Sequence, residues 1–224
     1  MIDTAIPEIR FALHAVREAA MLVREVQQEM VTPALTKADR SPVTVADFAS
    51  QAVIAWLLSE AFPGDVLVAE EDAAELRTES GRINLERVTG FVQRRIPNAT
   101  PGAVCEWIDR GAGESGSRFW TLDPIDGTKG FLRGDQYAVA LALVVDGIVT
   151  LGVLGCPQLG DAHHPHQGGP GSLLVGAAGQ GAWTAALDSP GEYTQLSVSD
   201  NSNPARARIL RSVESGHTNI SQVD

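Results

Sequence analysis

Cysteine is scarce in this chain, and so is positive charge. Only Cys105 and Cys156 occur in 224 residues, without metal-ligand spacing, which excludes a disulfide framework and suits a reducing cytosol. Lysine and arginine number 17 against 28 aspartates and glutamates, a formal charge of -11. An acidic surface repels nucleic acid and anionic membranes, so neither is expected as a partner. An anionic substrate would need cations recruited to its site. No secretory signal is legible, because Asp3, Glu8 and Arg10 interrupt the start before an apolar core forms. Long apolar runs are also wanting. The one stretch that resembles a span, Tyr137 to Cys156, carries Asp146-Gly147 at its centre. A mid-span aspartate costs about 2.5–3.5 kcal/mol on insertion scales, so two strands joined by a tight turn explain it better. A soluble, cytoplasmic protein is expected, large enough for one big domain or two small ones.

What is present is ordered around Phe119-Trp-Thr-Leu-Asp-Pro-Ile-Asp-Gly-Thr-Lys-Gly-Phe131. Phe119 to Leu122 reads as a short buried strand running into Asp-Pro and Asp-Gly, two strong turn signals. Pro124 forces a bend, so Asp123 and Asp126 can face one small volume. Close carboxylates repel unless a proton or cation lies between them, and hard oxygen ligands suit Mg2+ better than zinc or copper. Gly127 permits close backbone approach, Thr128 offers a hydroxyl and Lys129 a positive charge. Taken alone, the same residues make an ordinary turn.

Along the chain, Pro7 to about Met30 has the spacing of a long amphipathic helix with a core stripe through Ile9, Leu13, Val16, Ala20, Val23 and Met30. Thr32 to Pro42 reads as a loop. A second helix is expected from near Thr44 to Phe62, stopped by Pro63-Gly64, with Asp47 in its first turn. Val66 to Ala69 is a short strand ending in Glu70-Glu71-Asp72, where Glu70 is the acid best placed at the strand tip and Glu71 and Asp72 suit a solvated loop. Residues 73–117 are polar, with one helix near Leu85 to Arg95. Tyr137 to Val145 and Ile148 to Cys156 form a hairpin on Asp146-Gly147, and their nearly continuous apolar character predicts that both faces are covered. Asp161 to Gly171 reads as a loop whose His163, His164 and His166 are solvated. Ser172 to Ala177 and Ala182 to Thr184 suggest another hairpin, with weaker strands at Leu196 to Ser199 and Arg208 to Ser212. The fold class expected is α/β: two N-terminal helices on a largely antiparallel sheet, with the metal site at one end of its strands.

With these residues in hand, the chain resembles the magnesium-dependent, lithium-sensitive phosphatases related to inositol monophosphatase and fructose-1,6-bisphosphatase, and within them the 3'(2'),5'-bisphosphate nucleotidases. The resemblance is carried by Lys37 to Thr44 with Asp47, by Val68-Ala-Glu-Glu71, and by Trp120 to Gly134, whose Lys129-Gly-Phe-Leu-Arg-Gly134 is the mark of the subgroup. Val213-Glu-Ser-Gly-His217 resembles a nucleotide-contacting segment. The resemblance implies that Glu70, Asp123, Asp126 and the carbonyl of Ile125 hold two or three Mg2+ ions, with Asp123 bridging two. It implies that Asp47 and Thr128 take a proton from the attacking water, and that Gly127 and Thr128 cradle the scissile phosphate. His217 and Glu214 would touch the nucleotide. It also implies Li+ inhibition and adenosine 3'(2'),5'-bisphosphate as substrate, with inositol phosphates or sugar bisphosphates, or an inactive fragment lacking the metal ligand of the second domain, as the alternatives. The family continues into a second α/β domain with a Trp-Asp segment; here Trp56, Trp107, Trp120 and Trp183 are not followed by aspartate. Residues 1–224 therefore read as the N-terminal domain of such an enzyme, entering the second near 205–224.

Overall fold

The computed structural model describes residues 1–31, 41–189 and 191–206. Helix α1 (Pro7–Met30) lies where its periodicity puts it, with Ile9, Leu13, Val16, Ala20 and Val23 buried. Helix α2 (Ser41–Ala61) begins three residues earlier than the capping pattern suggests. Pro42 explains the shift, since proline is tolerated in a first helical turn where its missing N–H has no partner to lose. This helix is long and apolar enough to cross a membrane, which the sequence reading overlooked, yet most of it is buried within the fold. It packs on α1, on the strand Arg118–Asp126 and on two helices that follow. A helix enclosed on several sides can be apolar nearly all round.

Strand β1 (Val66–Ala69) matches expectation. The polar stretch after it holds more structure than its composition suggests. A 3-10 turn covers Glu75–Arg77, helix α3 spans Arg82–Val92, and helix α4 spans Pro101–Asp109. The last was missed, although Thr100-Pro101 is a start signal: the Thr100 hydroxyl accepts the Ala103 N–H at 3.2 Å.

Strand β2 runs from Arg118 to Asp126, so both aspartates belong to the strand and do not lie beyond its tip. The ladder to the next strand shifts register between Asp123 and Asp126, which is where proline interrupts the pairing. Trp120 anchors the strand in the core. Its ring meets Phe11 at 5.0 Å edge-on, and its indole N–H donates to Asp65, which also pairs with Arg118. Helix α5 (Thr128–Arg133) follows at once.

The hairpin β3 (Ala138–Val145) and β4 (Ile148–Cys156) turns on Asp146 and Gly147, both at positive φ, as a two-residue hairpin requires. Short β5 (Leu159–Gly160) and β6 (His164–Pro165) pair with each other, and β6 lies inside the stretch read as a loop. Strands β7 (Ser172–Ala177), β8 (Gly181–Ala186) and β9 (Thr194–Leu196) complete the main sheet. Among the described residues its order is β1-β2-β3-β4-β7-β8-β9, and of these pairs only β1–β2 is parallel. Two helices on a largely antiparallel sheet is the architecture foreseen. The candidate strand at Arg208 to Ser212 lies outside the described residues.

One expectation fails. The two faces of the hairpin are not both covered among the described residues. Helix α1 packs on one side of β3, β4 and β7. On the other side Leu154 is exposed, and a trough of about 510 Å³ runs over Ala140, Ala142, Gly152, Leu174, Gly176 and Leu196. Ile148 and Val149, at the turn, are also exposed. Continuous apolar character was a sound guide to the buried face and a poor one to its opposite.

Candidate active site

Three elements bring the acids together. Because β1 and β2 are parallel neighbours, with Ala69 opposite Leu122, their C-terminal ends deliver Glu70-Glu71 and Asp123 side by side. Asp126 follows at the end of β2. Helix α2 crosses behind and contributes Asp47 from its first two turns. Asp47 is only 8% exposed, while Asp123 is half-buried and Glu70 and Asp126 face solvent.

Their charges are felt mutually. Burial pushes the Asp47 carboxyl up to about 8, and the charges of Glu71, Glu70 and Asp123 push the same way. Burial also raises Asp123, with Asp126 and Glu70 adding to it, while the Ile125 N–H that donates to its Oδ1 at 3.1 Å acts in opposition. Glu71 is raised by burial and by Glu70, Asp72 and Glu75. Glu71 is therefore part of the cluster, contrary to its assignment to a solvated loop. The run of three acids directly after a buried strand was the signal that could have found it.

Glycine 127 stands ahead of α5 with φ +94°, and Thr128 opens the helix, both exposed. No hydrogen bond joins Thr128 to Asp47 among the described residues. The reason for glycine at position 130 is steric. A Cβ on Gly130 would lie 1.9 Å from the Gln136 carbonyl oxygen, so α5 can lie against that backbone only with glycine here. Gly130→Ala is expected to cost about 2–3 kcal/mol, as overpacking against main chain does, and to lower the urea midpoint correspondingly. An unchanged midpoint would show that α5 can move aside freely. The C-terminal end of α5 is held from α1: the buried Gln27 amide donates to the Phe131 carbonyl at 2.8 Å and accepts from Gln158 at 2.6 Å.

Among the described residues, no three His, Cys, Asp or Glu side chains stand at metal-holding distance from a common point. The donor chemistry nevertheless suits a hard divalent cation. It is all oxygen, it is negative, and its members repel one another in a way a cation would relieve. His163, His164 and His166 lie apart from this place, on the β5–β6 segment; both cysteines are free and buried. Lys37 of the N-terminal motif, His217 and Glu214 lie outside the described residues.

The profile of the Inositol monophosphatase family matches residues 6–223. The chain belongs to that family. It is 38% identical over 237 residues to the 3'(2'),5'-bisphosphate nucleotidase 1 of Candida albicans, covering 96% of this chain and 65% of that protein. It is 40% identical over 231 residues to the 3'(2'),5'-bisphosphate nucleotidase of Oryza sativa, covering 94% and 64%. The chain thus spans just under two thirds of the length of these curated relatives. Among solved structures, CysQ from Bacteroides thetaiotaomicron, a bacterial member of the inositol monophosphatase family, superposes with a TM-score of 0.51 at 18% identity over 87% of this chain and 59% of that one, a likeness of fold.

Proposed function

We propose that this family member hydrolyses the 3'(2')-phosphate of adenosine 3'(2'),5'-bisphosphate to AMP and phosphate in a Mg2+-dependent reaction in the cytoplasm. The observation that carries the reading is the electrostatic union of Asp47, Glu70, Glu71, Asp123 and Asp126 at the ends of β1 and β2, beside the start of α5. The nucleotidase names of the relatives support the substrate class.

Glu70, Asp123, Asp126 and the Ile125 carbonyl would hold the ions. Glu70 and Asp126 are exposed and have room to turn toward Asp123. When bound, Mg2+ supplies an acidified water and neutralises charge on the phosphoryl oxygens. The chain's own groups do the rest. Gly127 and Thr128 present backbone N–H groups at the start of α5 to the scissile phosphate. Asp47, whose surroundings raise its affinity for a proton, would act as the base in its ionised form, taking the proton of the attacking water by way of Thr128. The leaving oxygen is that of the ribose 3' or 2' position. His217 and Glu214 would contact the nucleotide.

Phosphate release from adenosine 3',5'-bisphosphate and from inositol 1-phosphate, each with Mg2+ and with EDTA, tests this. Release from the nucleotide that EDTA abolishes is the expected result. Turnover of the inositol ester alone would overturn the substrate, and turnover in EDTA would overturn the metal. Thr128→Ala is expected to slow turnover by about 100-fold, in keeping with a lost proton-transfer group, while Mg2+ affinity stays near that of the parent. A large fall in Mg2+ affinity instead would assign Thr128 a different task.

A further inference from the structure

Helix α2 carries three polar residues on one face in its buried length: Asp47, Ser50 and Gln51, spaced i, i+3, i+4. Ser50 and Gln51 are wholly inaccessible to solvent. A buried amide is costly unless its hydrogen bonds are made, and an apolar side chain could fill the same space without that demand. Gln51 makes its hydrogen bonds to main chain. Its Nε2 donates to the Glu71 carbonyl at 2.6 Å and to the Ile108 carbonyl at 2.7 Å. Its Oε1 accepts the Glu71 N–H at 3.1 Å. Both backbone groups of Glu71 are thus taken by one side chain, the pairing a neighbouring strand would otherwise offer. It is needed at this point, because the β1–β2 ladder ends at Ala69 and Leu122, before Glu70 and Glu71.

The surroundings are shaped to let the amide reach. A Cβ on Gly111 would lie 2.4 Å from Gln51 Nε2, so only glycine leaves the space. One residue earlier on the helix, the Ser50 hydroxyl donates to the Pro124 carbonyl at 3.2 Å, between Asp123 and Ile125. A single helix therefore carries Asp47, grips the main chain beside Glu71, and grips it again beside Asp123.

We infer that Gln51, assisted by Ser50, is a positioning residue that holds the Glu70-Glu71 and Asp123-to-Asp126 segments at a fixed placement relative to Asp47. Its bearing on metal binding rests on the function proposed above. Its effect on the main chain does not.

The test compares the parent chain with Gln51→Met, which keeps the volume and removes all three bonds, and with Leu58→Ala. Leu58 is fully buried two turns further along α2 and its side chain makes no hydrogen bond, so its truncation is a control for loss of stability alone. Measurements are made at a temperature where circular dichroism shows each protein fully folded. Hydrogen exchange at the Glu71 amide is expected to quicken about tenfold in Gln51→Met, the effect of losing one hydrogen bond, and to stay unchanged in Leu58→Ala. Mg2+ affinity by titration calorimetry is expected to fall about tenfold in Gln51→Met and to stay unchanged in Leu58→Ala. Equal exchange in parent and Gln51→Met overturns the inference, as does equal Mg2+ affinity where the parent binds the ion. A parent chain that takes up no Mg2+ defeats the metal reading instead, and the exchange comparison still judges Gln51. Should Gln51→Met not fold, Ser50→Ala decides at the Pro124 carbonyl: faster exchange at Ile125 and Asp126 supports the inference, and unaltered exchange there overturns it.

Discussion

Asp123→Asn is expected to reduce phosphate release from adenosine 3',5'-bisphosphate by about 100-fold or more while leaving the protein as stable as before. The two effects separate because the residue's structural and electrostatic roles use different atoms. Its Oδ1 accepts the Ile125 N–H, and an asparagine oxygen at the same place can do likewise. The negative charge, by contrast, is a burden to the folded chain, since burial and the charges of Asp126 and Glu70 all oppose it. Asparagine removes that burden, so the melting temperature should hold or rise. What it also removes is the anionic oxygen proposed to bridge two ions, and loss of groups that support a metal already costs 10–100-fold in typical cases, roughly a lower bound here. Steady-state assay beside thermal melting checks both halves. An undiminished rate would remove Asp123 from the proposed chemistry; a rate lost together with the fold would mean the residue serves structure first.

Asp47→Asn should stabilise the chain at high pH and do little at low pH, when EDTA keeps cations away. The folded carboxyl is raised to about 8, mainly by burial and then by Glu71, Glu70 and Asp123, against an ordinary value of 3.8. The folded state therefore keeps a proton that the unfolded state gives up between those two values. Below pH 3.8 both states are protonated and Asp47 contributes no difference. As pH rises toward 8 the unfolded state gains relative stability, and above 8 the loss is complete. With each pH unit worth about 1.4 kcal/mol, the total is on the order of several kcal/mol. Asparagine does not ionise and escapes it. Urea unfolding of both proteins at pH 4 and pH 9 reads the difference directly, because the repulsion of the general negative charge is common to both. A gain of similar size at the two values would show that Asp47 is not the group responsible. Adding Mg2+ should shrink the gain at pH 9 if a cation takes up the neighbouring charge.

Much of this molecule was legible from the residues in order. The 3.6-residue rhythm of α1, the four-residue apolar run of β1 and the Asp146-Gly147 turn each involve neighbours along the chain, so local pattern suffices to find them. Glu70 was legible for the same reason, as a charge placed directly after a buried strand, whereas Asp123 and Asp126 proved to lie within β2, where proline had suggested a turn. Helix α4 was overlooked because a nine-residue segment amid polar sequence gives little periodicity, although Thr100-Pro101 marked its start. The open face of the hairpin was misread because an apolar run records only that water is disfavoured, not which element covers each side.

By itself the sequence determined α1, β1, the β3–β4 hairpin, the family resemblance and the kind of atom offered to a cation, carboxylate oxygen. Only the tertiary structure decided that β1 and β2 run parallel as neighbours, that Glu71 joins the cluster, and that Gln51, Gly111 and Gly130 are demanded by contacts reaching across 6 to 60 positions. The physical reason is range. Periodicity and turn chemistry act between residues a few places apart, whereas the satisfaction of a buried amide and the room left for a missing Cβ depend on groups that the chain brings together only once it has folded.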